Sequence, residues 1–236
     1  MSTIDLDDVA PAPPRWQRFC VIGAVVCFVV AGYVGGATWA KLLDSHPLVL
    51  LALSPINRYL LLTTNSLDWY SYFGVGLLRH LAPDPLFYLL GVWYGRRAIA
   101  WVLDTYPIAK RIFGEDGRTL EDPTRRRIIY PLAFFAPNNW VSLLCGASKI
   151  PFRQFIVLNV AGTFTRLVLC RWIGSIFDSQ IRDIAEWVGK YSWPITGVSI
   201  VLVLAGIALQ FARGSGELVA LGRLGEETFE EASADD

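Results

Sequence analysis

The chain has 236 residues, of which 53% are hydrophobic, with a mean hydropathy of +0.41 and a formal net charge of zero. This composition predicts one integral membrane domain and argues against a soluble protein. The neutral net charge predicts no nucleic-acid partner, and the four cysteines stand in apolar stretches without metal-ligand spacing, which predicts no metal site.

The N-terminal segment 1–18 is acidic and contains prolines, and it predicts a disordered cytoplasmic tail. Residues 19–40 carry no charge and are long enough to form a first transmembrane helix. Arg15 and Arg18 precede this helix and place its start on the cytoplasmic side. A short polar connection is expected at 41–46.

A broken apolar segment follows, in which Pro55 stands beside Asn57 and Arg58. Proline interrupts helical hydrogen bonding, so a simple spanning helix is not expected here. An arginine at membrane depth costs a few kcal/mol unless it faces a cavity or a partner, for which Asp44 and Asp68 are the candidates. Alternatively, Arg58 extends to a lipid headgroup. Both interpretations remain open at this stage.

Residues 69–95 predict a second spanning helix with a break at Pro83, Asp84 and Pro85. Eight lysines and arginines follow between 96 and 127, which indicates a cytoplasmic loop. Within this loop, residues 98–113 interleave apolar residues with Lys110 and Arg111, a pattern compatible with an amphipathic interfacial helix. Alternatively, the basic residues only determine the topology.

The second broken segment lies at 136–155 and overlaps a stretch from 128 to 148 that carries no charge. Pro131 and Pro137 interrupt the helix, and Asn138 and Asn139 place two amides beside the second interruption. Such freed backbone groups are tolerated only where protein or a water-filled cavity satisfies them. The segment therefore predicts a re-entrant hairpin that faces a polar cavity.

The two broken segments match each other at an offset of 82 residues. The matched pairs are Pro55 with Pro137, Asn57 with Asn139, Leu61 and Leu62 with Leu143 and Leu144, Ser66 with Ser148, and Phe73 with Phe155. This pattern is typical of transporters built from inverted repeats, here 47–95 and 129–177. The alternative is two proline-kinked helices without any relationship.

Residues 151–177 predict a further spanning helix, on which Asn159, Thr163 and Arg166 share one face. A short outer loop at 178–190 and a last spanning helix at 191–212 follow. The segment 214–236 is acidic and predicts a cytoplasmic tail.

The predicted fold is thus an all-α integral membrane protein with four transmembrane helices and two inverted re-entrant helical hairpins. The membrane domain covers residues 19–213. The expected location is the cell membrane, with multiple spans and both termini in the cytoplasm.

Three motifs resemble the DedA family, also called the VTT or SNARE-associated family. They are Asp84-x-x-x-Tyr88-x-x-Gly91-x-x-x-Gly95, the segment Phe135-Ala136-Pro137-Asn138-Asn139-Trp140, and Gly146-Ala147-Ser148 followed by Phe155, Asn159 and Gly162. The sequence departs from the family in having Pro83 in place of glycine, Val92 in place of arginine, no arginines around Pro137, and Arg166 where an aromatic residue is common.

The resemblance implies a lipid flippase or scramblase, for which membrane lipids with phosphate headgroups would be the partners. Candidate residues for substrate binding and translocation are Asn57, Arg58, Asn138, Asn139, Asn159 and Arg166; Asp68 and Asp84 are candidates for proton coupling. A proton-coupled transporter of small ions or drugs and a non-catalytic assembly factor are alternatives.

An enzyme is not expected, because the two histidines, His46 and His80, lie near no nucleophile or paired-acid motif. No cofactor is predicted. The GxxxG pairs allow helix contacts within one chain or in a homo-oligomer.

Overall fold

The computed structural model describes residues 13–114 and 125–214, together with 120, 216, 219 and 222. Within these residues every regular element is a helix. The elements are α1 (Arg15–Ser45), α2 (Pro47–Leu53), α3 (Asn57–Thr63), α4 (Trp69–Leu81), α5 (Asp84–Thr105), α6 (Pro107–Phe113), a 3-10 turn (Arg125–Ile128), α7 (Ile129–Phe135), α8 (Asn139–Ala147), α9 (Phe152–Ile176), α10 (Asp178–Lys190) and α11 (Ser192–Arg213). Most of both predicted tails and part of the 96–127 loop fall outside the described residues.

Among the residues that the structure describes, three helices are long and apolar enough to cross a membrane, which indicates a multi-pass membrane protein. They are Trp16–Ser45 in α1, Phe152–Ile176 in α9 and Ser192–Arg213 in α11. Their positions confirm the spans predicted at 19–40, 151–177 and 191–212. Along α11 the apolar side chains of Val198, Leu202 and Phe211 are at least 60% exposed, as expected of a surface that faces lipid rather than water.

The break predicted at Pro83, Asp84 and Pro85 within the segment 69–95 is confirmed. The chain forms two helices there, α4 and α5, which are separated at Ala82 and Pro83. Pro83 is the N-cap of α5 and a second proline follows in its first turn, where a missing N–H is tolerated. Helix α5 bends again at Gly95, whose φ of 46° and ψ of −120° suit glycine alone.

Two predicted connections are also helical. The expected loop at 178–190 is the helix α10, and the polar connection expected at 41–46 is mostly the last turn of α1. In α10 the apolar residues Ile181, Ile184 and Val188 recur at three- and four-residue spacing. This periodicity is that of an amphipathic helix and was hidden by the high charge of a short segment.

Both predicted breaks are confirmed, and the helices around them repeat at one spacing. Helices α2 and α7 begin at Pro47 and Ile129 and end at Leu53 and Phe135, and in both cases the corresponding residues are 82 positions apart. The next helices, α3 and α8, begin at Asn57 and Asn139, again 82 positions apart. The repeat therefore extends from the matched residues to the boundaries of the helices.

The chain divides into two compact units. Unit 1 contains residues 1–26, 83–162 and 213–236, and it holds α5 to α8 with the first part of α9. Unit 2 contains residues 27–82 and 163–212, and it holds α2 to α4, α10 and the last part of α9. Two apolar clusters lie in unit 2, one around Tyr59 and Leu50, the other around Tyr72 and Leu167.

Candidate functional site

Unit 1 is organised around a close helix pair formed by α5 and α8. A Cβ placed on Gly91 of α5 would lie 2.0 Å from the carbonyl oxygen of Leu143 in α8. A Cβ on Gly146 of α8 would lie equally close, at 2.0 Å, to the carbonyl oxygen of Tyr88 in α5. The two backbones touch at these glycines, which is the packing that small residues permit between membrane helices.

At the N-terminal end of this pair, Asp84 is 3% exposed and is held by side chains from two other helices. Ser142 of α8 donates its hydroxyl to Asp84 Oδ1 over 2.9 Å, and Asn159 of α9 donates its amide N–H to Asp84 Oδ2 over 2.8 Å. Both donors are themselves 1% exposed. The predicted residues Asp84 and Asn159 thus form one polar centre. Ser142 also belongs to this centre, although the sequence pattern did not predict it as a site residue.

The paired asparagines of the second hairpin have a local role. Asn138 is the N-cap of α8, and its side-chain oxygen accepts a hydrogen bond from the backbone N–H of Asn139 over 2.8 Å. Asparagine is a favoured N-cap residue because it satisfies an N–H that lacks a helical partner. The amide of Asn138 therefore stabilises the break itself.

Unit 2 contains the second polar pair, between α9 and the start of α3. The Nε–H of Arg166 donates to the side-chain oxygen of Asn57 over 2.6 Å. Asn57 is the residue that the repeat matches to Asn139. Two of the predicted translocation residues therefore meet directly.

Two further arginines of unit 2 donate to backbone carbonyl groups, several of them at or near helix ends. Arg79 of α4 donates to the carbonyl oxygens of Ala52, Leu53 and Phe28 over 2.8–3.0 Å. Arg171 of α9 donates to those of Thr64 and Leu67 over 2.9 and 3.0 Å. Each of these arginines lies within an apolar helix, which is a signal visible in the sequence. That signal does not identify the carbonyl partners, which lie up to 107 residues away.

Arg58 does not pair with either carboxylate considered from the sequence. Its guanidinium donates to the hydroxyl of Tyr59 over 2.7 Å and lies 6.0 Å from the ring of Trp39. Asp44 pairs with Lys41 instead, at 3.5 Å. Arg58 is thus an exposed cation held by aromatic rings.

Asp68 lies outside the three candidate spans and is exposed. Its carboxylate caps α4 by accepting a hydrogen bond from the backbone N–H of Ser71 over 3.0 Å. This hydrogen bond holds the pKa of the Asp68 carboxyl below its usual value. A carboxylate stabilised in its ionised form is a poor proton carrier near neutral pH, so the geometry assigns Asp68 a capping role.

The contacts of the two units follow the same 82-residue relationship. Asp84 and Arg166 are 82 positions apart, and each binds a polar residue of a hairpin. In unit 2, a Cβ on Gly174 would lie 2.8 Å from Thr64 Oγ1, and Thr64 is 82 positions before Gly146, where α5 and α8 touch. The same pairs of repeat helices therefore meet in each unit, α5 with α8 and α9 with α3, although Asn57 corresponds to Asn139 and not to Ser142.

In the part of the chain that the structure describes, no group of three or more His, Cys, Asp or Glu side chains is placed to hold a metal ion. No protein-family model matches the chain, and no curated protein and no solved structure is significantly similar to it.

Proposed function

We propose that this chain is a membrane lipid flippase or scramblase of the DedA/VTT type, which moves lipids with phosphate headgroups across the bilayer. The observation that carries the proposal is the repeated broken hairpin, α2–α3 and α7–α8, with helix starts 82 residues apart. Broken helices at corresponding places in two halves are a feature of transporters, in which they line the substrate path. We further propose that α4 and the first part of α5 together provide the fourth crossing, which places both termini in the cytoplasm.

The polar centres supply the chemistry that a headgroup requires. A headgroup cannot cross a hydrocarbon layer about 30 Å thick unless polar groups replace its water. Arg166 and Asn57 are donors of the type that phosphate oxygens accept, and an arginine binds phosphate through charge-assisted hydrogen bonds. The acyl or prenyl chain would remain in the bilayer, beside the exposed apolar surfaces of the spanning helices.

Asp84 is the candidate for proton coupling. It is buried and accepts two hydrogen bonds from neutral side chains. Protonation would replace an acceptor by a donor at Oδ1 or Oδ2 and would break one of these bonds. The contact between α5 and the hairpin would then depend on the protonation of one residue.

The test is lipid movement in proteoliposomes, with and without a proton gradient. A fluorescent phospholipid and a polyprenyl phosphate are incorporated into the vesicles. The fraction of each lipid that a membrane-impermeant reagent can reach is measured over time. We expect Asp84→Asn to lower the initial rate about tenfold or more, which equals ~1.4 kcal/mol or more. Asp104→Asn is the matched control, because Asp104 is on the same helix with its side chain 78% exposed.

Equal rates for both variants would remove Asp84 from the mechanism, and no lipid movement with the intact chain would overturn the proposal. Proton flux that depends on a small ion or drug, without lipid movement, would instead support a proton-coupled transporter. No transport at all, with an unaltered phenotype for alanine at Asp84, Asn139 and Arg166, would support a membrane assembly factor.

A further inference from the structure

Helix α10 has three distinct surfaces. Ile181 and Val188 are 8% and 3% exposed and pack inside unit 2. Arg182, Glu186 and Lys190 recur at four-residue spacing and form a charged stripe. A third stripe is apolar yet exposed: Ile184 is 50% exposed, Trp187 59% and Tyr191, directly after the helix, 41%.

The neighbours of α10 determine where it lies. Helix α9 ends at Ile176 and α11 begins at Ser192, and both are candidate spans. The 13 residues of α10 are about 20 Å long at 1.5 Å per residue, which is too short to cross the hydrocarbon core of about 30 Å. The helix that joins two consecutive spans is therefore held at one face of the membrane.

Cations and aromatic rings surround this end of unit 2. The ammonium of Lys190 lies 5.6 Å from the ring of Tyr191, and that of Lys41 lies 5.7 Å from the ring of Trp193. Trp187 contacts Tyr191, with ring centroids 5.3 Å apart, and Trp193 is 74% exposed. Tryptophan, tyrosine and lysine are enriched where headgroups meet acyl chains, because their apolar bodies enter the lipid while their polar ends stay in water.

We infer that α10 is an interfacial helix that lies flat in the headgroup layer, with lipid as the partner of its exposed apolar stripe. Ile184, Trp187 and Tyr191 contact the acyl boundary, and the stripe of Arg182, Glu186 and Lys190 faces water. Val188 packs in the same cluster as Leu50 of α2 and Tyr59 of α3. Insertion of α10 therefore also holds the first broken hairpin at a defined depth.

Spin labels at single cysteines test this inference in liposomes. The exposed Cys20 and Cys27 are replaced by serine, whereas Cys145 and Cys170 are buried and remain. A label at Ile184→Cys is expected to be more accessible to oxygen, which dissolves in lipid, than to a water-soluble nickel chelate. The matched control, a label at Glu186→Cys two residues away, is expected to show the reverse.

Equal access of the nickel chelate to both labels would overturn the inference. If the labelled chains do not fold, quenching of tryptophan fluorescence by phospholipids brominated near the headgroup gives a second readout. Trp187→Phe is expected to lower the quenched fraction, whereas Trp140→Phe, at a site that is 6% exposed, is not. An unchanged quenched fraction in Trp187→Phe would count against an inserted α10 whatever the lipid activity of the chain.

Discussion

At the scale of single residues, Asp84 is a carboxyl group that is almost fully buried. Its burial is compensated by Ser142 and Asn159, which donate to different oxygens of the carboxylate. A hydrogen bond to a charged group is worth about 1.5–3 kcal/mol, more than one between neutral groups. The side chain of Asn159 is therefore expected to contribute to stability as well as to function.

Asn159→Leu keeps most of the side-chain volume and removes the donor. We expect it to lower the free energy of unfolding by about 1.5–3 kcal/mol, because Asp84 Oδ2 loses its hydrogen bond in a buried position. The measurement is the midpoint of thermal unfolding in detergent. Asn65→Leu is the control, since Asn65 is exposed and the same substitution there removes no buried contact; equal losses in both variants would contradict the assignment.

Asp68 predicts a dependence of stability on pH. The pKa of Asp68 is lower in the folded state than its usual value of 3.8. Its contribution to the free energy of unfolding is therefore fully present above pH 3.8 and is lost as the pH falls through the folded-state pKa. Asp68→Asn keeps a capping side chain but cannot titrate. We expect the difference in unfolding midpoint between the native chain and this variant to shrink as the pH is lowered from 6 to below the folded-state pKa. A difference in unfolding midpoint that stays constant over this pH range would contradict the capping role of the Asp68 carboxylate.

At the scale of helices, the breaks are stable because other side chains replace the missing backbone bonds. Asn138 caps α8, and Arg79 and Arg171 donate to carbonyl groups at the ends of α2 and α3. An unsatisfied backbone group in hydrocarbon costs several kcal/mol. Arg79 and Arg171 therefore have a structural role at these helix ends.

The contact of α5 with α8 predicts a strong sensitivity to added volume. In Gly146→Ala, the added Cβ would lie 2.0 Å from the carbonyl oxygen of Tyr88, so α5 and α8 must move apart. Overpacking of this kind costs about 1–3 kcal/mol or more. Gly74→Ala is the control, because no atom lies within 4 Å of its added Cβ and alanine favours a helix. A Gly146→Ala chain with an unchanged unfolding midpoint would contradict the close contact.

At the scale of the whole molecule, the number of crossings decides which side each terminus occupies. Three continuous spans alone would leave the termini on opposite sides of the membrane. The proposed fourth crossing through α4 and α5 would return the C-terminus to the cytoplasm. A fluorescent protein that matures only in the cytoplasm, fused after Asp236, is therefore expected to be bright. The same fusion placed after Lys190 is expected to be dark, and the opposite pair of results would invert the proposed topology.

Much of the fold could be predicted from the sequence because the signals were local. Uncharged stretches of about 20 residues predicted α1 and α11, and a long apolar stretch with few charges predicted α9. Pro55 and Pro137 predicted the breaks in the two hairpins. Pro83 and Pro85 likewise predicted the break between α4 and α5. The segment of helix α10 was predicted as a loop because its high charge and short length hid the three- and four-residue spacing of its apolar residues.

By itself the sequence determined the membrane class, the three long spans and the spacing of 82 residues between the broken segments, since hydropathy and proline act through neighbouring residues. Only the tertiary structure decided the partners: Asp84 with Ser142 and Asn159, and Arg166 with Asn57. These pairs join residues 58 to 109 positions apart. A hydrogen bond depends on distance and direction in space, and neither is encoded in the order of residues along the chain.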